Sequence, residues 1–159
     1  MARHRPLLAG SAAVALPLIP LAWIHATFAV DWYNHLWLIG YFGEFFRIHH
    51  RMPEALNAQP TLLIAYPTFY GYLLYSVLGL PGTILSPSVV VRSAVVCLWA
   101  IRFVLTYLAA RALMQQRLIP LTIACLVSWE TYALTNLYNR SALTELFATG
   151  LLTSVLCLL

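Results

Sequence analysis

The polar residues best placed for chemistry lie in the stretch DWYNHLW, which directly follows a long apolar run. Asp31 and His35 are four residues apart, so on a helix they share one face, with Asn34 beside them. A carboxylate and an imidazole in this arrangement are typical of a general base, or of a metal ligand with its partner. The alternative is a helix N-cap, because aspartate accepts hydrogen bonds from the free N–H groups of a first turn.

A divalent cation at Asp31 is the cofactor that this pattern admits, although the local sequence offers no third or fourth ligand. The three cysteines, Cys97, Cys125 and Cys157, all lie inside apolar runs. They are typical of core filling rather than of a disulfide framework or a metal cluster. We therefore predict no metal centre from the sequence and leave the cofactor undetermined.

Arg102 and Glu130 are charged residues inside apolar runs. Counted at 1.5 Å per residue from the turn between the two runs, they lie about 13 Å and about 18 Å into a membrane, where their side chains can meet. An isolated charge near the bilayer centre costs at least about 3 kcal/mol, so a pair is favoured. The sequence predicts a structural ion pair; the alternative is a polar pathway, as in a transporter.

A second group of charges, Arg92, Arg140 and Glu145, falls near the predicted outer ends of separate segments, at the level of Asp31. One such residue can extend its charge to the interface without a functional role. Four at one level predict a binding site at the outer leaflet. Farther along the chain from Asp31, Glu44, Arg47 and Arg51 follow helical spacing and predict a solvated ion-pair strip; a cationic rim for a lipid phosphate is the alternative.

The composition assigns the chain to a membrane. Of its 159 residues, 62% are hydrophobic and only 9% are charged, against about 25% charged in soluble domains. The net charge of +4 is too small and too dispersed to suggest a nucleic-acid partner.

The order of apolar and polar segments predicts an all-α, polytopic transmembrane helix bundle, one membrane domain over residues 1–159. Arg3 and Arg5 precede the first apolar run, which predicts a cytoplasmic N-terminus. Pro17 and Pro20 predict a bend in that run. A cleaved signal peptide is the alternative reading of it, because ATFA near its end resembles a cleavage site. The predicted spans are 7–29, 89–110, 118–138 and 141–159, and the outer loop with juxtamembrane helices is 30–88.

Residues 61–80 are ambiguous, because Pro67 and Gly71 interrupt an apolar stretch that is just long enough to cross. If this stretch spans, the loop with Arg111 and Arg117 falls outside. If it is re-entrant or lies on the outer surface, that loop is cytoplasmic, as the positive-inside rule favours. We therefore expect it not to cross. The chain ends inside the apolar run LLTSVLCLL, and we expect a fragment of a longer chain or a piece that needs a partner subunit.

The order of these motifs, over about residues 7–155, resembles the N-terminal part of the bacterial membrane proteins called 6-pyruvoyl-tetrahydropterin synthase-related, a multispanning family similar to GT-C fold glycosyltransferases. Ser141 and Ala65 stand where that family usually has glycine. The matching residues are Asp31 and His35, Pro53, Tyr66-Pro67 with Phe69-Tyr70, and Arg140 with Glu145-Leu-Phe-Ala148.

The resemblance implies a GT-C-like enzyme of the bacterial inner membrane that takes a sugar from a polyprenyl-phosphate donor, or an inactive relative of one. Asp31, with His35, would be the catalytic base or metal ligand. Arg140 or Arg92 would hold the donor phosphate, whose oxygens suit the guanidinium fork, and Glu145, Tyr66 and Tyr70 would line the substrate site. The alternative is a non-enzymatic scaffold or subunit of a polysaccharide assembly or transport system.

Overall fold

The structure, a computed structural model, describes residues 5–23, 30–54, 56–59, 62–64, 71–116, 118–140 and 142–159. Most of them are helical, which confirms the all-α class. The helices are α1 (Arg5–Ala15), α2 (Ile19–Trp23), α3 (Val30–His49), α4 (Tyr72–Gly82), α5 (Pro87–Leu113), α6 (Leu118–Ser128), α7 (Thr131–Leu134) and α8 (Leu143–Leu156), and the strands are β1 (Leu56–Gln59) and β2 (Leu62–Ile64).

Within the part of the chain that the structure describes, two helical segments are long and apolar enough to cross a membrane. They are Pro87–Leu113, with 27 residues, and Leu118–Asn139, with 22 residues. The second comprises α6, α7 and a π-helical turn, Thr135–Asn139, with a break between α6 and α7 at Trp129 and Glu130. Both segments coincide with predicted spans.

The other two predicted spans are shorter helices within the described residues. The first consists of α1 and α2 joined by a 3₁₀ turn, Leu16–Leu18, at the position where proline predicted a bend; residues 24–29 lie outside the described ranges. α8 has 14 residues, about 21 Å of helix, against the roughly 30 Å of a hydrocarbon core.

Residues 30–88, the predicted outer loop, contain an element that the sequence did not predict. Only helices were expected over residues 30–88, but β1 and β2 form a short antiparallel hairpin that pairs Leu56 with Ile64. Leucine and isoleucine fit a pleated surface as well as a helix, so the residue types did not decide between them. α4 has 11 residues, about 16 Å of helix. Residues 61 and 65–70 lie outside the described ranges, and the expectation that 61–80 does not cross stays a prediction.

The chain divides into two compact units, and the boundary falls within α5 after Ala94. We call residues 30–94 the α3–α4 unit and residues 1–29 with 95–159 the α5–α8 unit. In the α3–α4 unit, His35, Leu38, Ile39 and Phe42 follow helical spacing and are all buried. This face of α3 packs against α4.

The α5–α8 unit buries a core from four helical segments, including Leu98 and Trp99 of α5, Leu137 of the π turn, and Leu146 of α8. α8 approaches α5 closely, since a Cβ on Gly150 would lie 2.9 Å from Leu98 Cδ1. In the same unit, the π turn contacts the 3₁₀ turn. The Tyr138 hydroxyl donates a hydrogen bond of 2.6 Å to the carbonyl oxygen of Pro17, in the 3₁₀ turn.

Candidate functional site

Asp31 lies in the first turn of α3 and is partly exposed. A carboxylate is favoured there because the free N–H groups at a helix start carry partial positive charge. α3 is described from Val30, so Asp31 is a first-turn residue rather than the N-cap that the sequence allowed. No hydrogen bond or ion pair to another described residue engages its carboxylate. The carboxylate can therefore accept a proton from a bound hydroxyl.

His35 contacts Tyr75 of α4 rather than Asp31. The His35 Nδ1 atom lies 2.5 Å from the Tyr75 hydroxyl oxygen, and the two rings stack with centroids 5.9 Å apart. Both side chains are buried, at 1% and 0% exposure. The partnership of Asp31 with His35 that the sequence predicted is not formed among the described residues, because His35 belongs to the buried face of α3.

Tyr75 is the residue that sequence reasoning missed. The sequence showed it only as one of several tyrosines in a crowded block, and its partner is forty residues away. The spacing of Tyr75, Leu78 and Gly79 was a signal in the sequence, because it places them on one helix face. In the structure all three are buried. A tyrosine on such a face needs a partner for its hydroxyl, and His35 is the polar member of the opposite face.

A second polar cluster forms where the π turn meets the start of α8. The Arg140 guanidinium donates to Glu145 through both Nη atoms, Nη1 to Oε2 at 3.1 Å and Nη2 to Oε1 at 3.3 Å. The Tyr132 hydroxyl donates to the same carboxylate at 3.2 Å. The structure therefore brings together Arg140 and Glu145, two of the predicted substrate-binding residues, and engages them with each other.

Asn136 lies beneath this cluster within the π turn. Its Oδ1 accepts a hydrogen bond of 3.4 Å from Arg140 Nη1, while its buried Nδ2 has no hydrogen-bond partner among the described residues. π turns within helices are frequent at functional sites. The wide turn holds an amide at 0% exposure directly against the arginine. No pattern in the sequence predicts this turn.

Arg102 and Glu130 form the predicted ion pair, with Arg102 Nη2 2.8 Å from Glu130 Oε2. The arginine side chain is 3% exposed and the glutamate side chain 50% exposed. The guanidinium also lies 5.8 Å from the centroid of the Trp99 ring, and Trp99 Nε1 donates to the Ser128 carbonyl oxygen at 3.0 Å. These contacts lie near the middle of both long helical segments and satisfy a carbonyl at the helix break.

The remaining predicted site residues are Arg92, Tyr66 and Tyr70. Arg92 lies in α5 and is half-buried, within the α3–α4 unit, as is Asp31. Tyr66 and Tyr70 lie outside the described residues. The gathering of Asp31 and Arg92 with Arg140 stays a prediction.

The described residues do not fit a divalent cation at Asp31. Within the described ranges, no group of three or more His, Cys, Asp or Glu side chains could hold a metal ion. A single carboxylate is a poor site, because divalent cations in proteins need several ligands.

The exposed face of α3 carries part of the predicted ion-pair strip. Arg47 donates to Glu44 through Nε at 2.9 Å and through Nη2 at 2.5 Å. This hydrogen bonding with Arg47 holds the pKa of the Glu44 carboxyl below its usual value. Arg51 instead lies 3.8 Å from Glu54.

The chain matches no protein-family model, no curated protein and no solved structure.

Proposed function

We propose that this chain is a GT-C-like membrane glycosyltransferase of the bacterial inner membrane that uses a polyprenyl-phosphate-linked sugar. The proposal includes a polytopic bundle with its N-terminus in the cytoplasm. The observation that carries it is Asp31, a partly exposed carboxylate at a helix start with no partner among the described residues. A carboxylate with no structural contact to maintain is available to act as a base.

In the proposed reaction Asp31 accepts the proton of an acceptor hydroxyl. The hydroxyl oxygen then forms a bond to the anomeric carbon of the donor sugar, and the bond from that carbon to the phosphate oxygen breaks. Polyprenyl phosphate leaves with the electron pair. His35 contributes by fixing this end of α3 against α4 through Tyr75.

Arg140, Arg92 and Glu145, with Tyr66 and Tyr70, are the proposed contacts to the donor. Arg140 donates to Glu145 through both Nη atoms, but a guanidinium has five N–H donors. The remaining N–H groups are the proposed contacts to the donor phosphate, and such charge-assisted hydrogen bonds are strong.

The test is Asp31→Asn in membranes of cells that express the chain, with transfer of radiolabelled sugar from a polyprenyl-phosphate donor as the readout. Loss of a general base lowers the rate by about 10²–10⁴-fold. The matched control is Glu44→Gln, which neutralises an exposed carboxylate on the same helix and leaves transfer unchanged. Equal rates for the wild type and Asp31→Asn, at equal expression, would rule out the proposed base.

The second candidate function is a non-enzymatic scaffold or subunit of a polysaccharide assembly system. The observation in its favour is that Arg140 and Glu145 engage each other, as a structural pair does. A scaffold tolerates Asp31→Asn but loses co-purification with its partner when the packing of α3 on α4 is disrupted.

A further inference from the structure

An apolar groove lies between α1, α5 and α6 in the α5–α8 unit, with a volume of about 570 Å³. Small-molecule sites typically enclose about 300–1,000 Å³, with apolar walls and a few polar groups. The groove fits this description, because its polar side chains are those of two hydroxyl-bearing residues, Ser11 and Tyr107. Its apolar lining includes Val14, Phe103, Val104 and Leu121.

A positive charge lies at the end of α5 toward which this groove extends. Tyr107 and Arg111 are one helical turn apart, so they share a face of α5, and Arg111 is in its last turn. From the middle of α5, Arg111 is about 16 Å along the axis. Half the thickness of a hydrocarbon core is about 15 Å. If α5 crosses the bilayer, Arg111 lies at the level of the lipid phosphates.

The guanidinium of Arg111 has N–H groups that can bind a phosphate at the level of the lipid headgroups. Its Nη1 donates to the carbonyl oxygens of Met114 at 2.6 Å and Gln115 at 3.0 Å, which directs the side chain away from the middle of the helix. Its Nε and Nη2 make no hydrogen bond within the described ranges. These N–H groups can bind an anionic oxygen, which is the stronger kind of hydrogen bond.

We propose that the groove binds one anionic phospholipid of the surrounding bilayer, with an acyl chain against Phe103 and Val104 and the phosphate at Arg111. From the middle of α5 outward, the order of groups is apolar side chains, the Tyr107 hydroxyl and then a cation. A phospholipid presents the complementary order of hydrocarbon chain, ester oxygens and phosphate. None of the residues of the proposed transferase site takes part, so the two proposals stand or fall separately.

The headgroup arm of the test uses native mass spectrometry of the purified full chain in detergent, with equal amounts of phosphatidylglycerol and phosphatidylcholine. Wild type should retain phosphatidylglycerol preferentially. Arg111→Gln should lower its retention about fivefold, which corresponds to the contribution of one basic residue near an anionic surface. Arg111→Lys should keep most of the preference, since an ammonium also binds phosphate. Equal retention of both lipids by wild type, or no effect of Arg111→Gln, overturns the proposal.

The acyl-chain arm uses Val104→Phe. Val104 lines the groove and is 49% exposed, so the larger ring fills the groove without entering the core. We expect lower retention of both lipids at an unchanged helical circular dichroism spectrum. The matched control is Ile101→Phe, on the same helix, 46% exposed and outside the groove lining, which should retain lipid as wild type does. Equal losses from the two phenylalanine variants also overturn the proposal.

Discussion

The two units join their helices by different means. In the α3–α4 unit the backbones themselves approach, because a Cβ on Gly43 would lie 2.8 Å from the carbonyl carbon of Gly82. In the α5–α8 unit, α5 meets the segment of α6 and α7 through polar contacts near the middle of both, the Arg102–Glu130 pair among them.

Each interface therefore tolerates a different kind of substitution. Where backbones touch, no room remains for an added methyl group, but no charge depends on the contact. Where a buried arginine depends on one carboxylate, side-chain size matters less than the balance of charge. Four predictions test this comparison.

The largest effect is expected for Glu130→Leu. This change leaves Arg102 unpaired at 3% exposure, and loss of one partner from a buried pair typically costs about 3–5 kcal/mol. Arg102→Leu leaves the Glu130 carboxylate without its partner near the middle of the segment and should also destabilise the fold. The double variant should be more stable than the sum of the single variants implies. Unfolding in detergent micelles measures all three, and strict additivity would contradict the coupling.

The next effect is expected for Gly43→Ala. The new Cβ would meet the backbone of Gly82 at 2.8 Å, and overpacking of this kind costs about 2–3 kcal/mol in free energy of unfolding. Gly40→Ala is the control on the same helix, because its Cβ would meet only Pro87 Cγ at 3.4 Å. That variant should be slightly stabilised, since alanine is the better helix former. Equal melting temperatures for the two variants would argue against the backbone contact.

A smaller loss of stability, about 1–2 kcal/mol, is expected for Tyr75→Phe, since it leaves the buried His35 Nδ1 without its hydrogen bond. Tyr72→Phe on the same helix is the control, because no hydrogen bond of the Tyr72 hydroxyl is formed with a described residue. The imidazole ¹⁵N shifts of His35 report the bond directly. They should change in Tyr75→Phe and stay fixed in the control.

The smallest effect concerns the exposed pair of Glu44 and Arg47. The folded pKa of Glu44 lies below its usual 4.5, so the folded state holds this proton less tightly than the unfolded chain. The resulting stabilisation is present above that usual pKa and is lost as the pH falls through the lowered value. In Arg47→Gln, a carboxyl ¹³C titration should show the Glu44 pKa rising toward 4.5. An unchanged titration would mean that Arg47 is not the cause.

The parts of the molecule that the sequence predicted are those that local composition determines. The two long apolar runs gave the segments Pro87–Leu113 and Leu118–Asn139. An isolated charge in such a run is unfavourable, and on this ground the sequence predicted that Arg102 pairs with Glu130.

The parts that the sequence could not give depend on contacts between distant residues or on irregular backbone. His35 and Asp31 share a helix face by spacing, yet His35 is turned inward by the aliphatic residues that follow it at helical intervals. Its bond to Tyr75 depends on how α3 and α4 pack. The π turn at 135–139 and the paired strands at 56–59 and 62–64 leave no periodic signature, because they interrupt the repeats from which helices and strands are recognised.

The wide turn at Thr135–Asn139 sets the direction of Arg140, the residue that directly follows it. An ordinary helix advances about 100° per residue, so the one additional residue that a π turn accommodates rotates the next side chains by roughly that angle. Removing a single residue from 135–139 would keep the chain helical but turn the Arg140 guanidinium to another side of the axis, away from Glu145. The direction of the Arg140 guanidinium therefore depends on the number of residues in the turn rather than on their types.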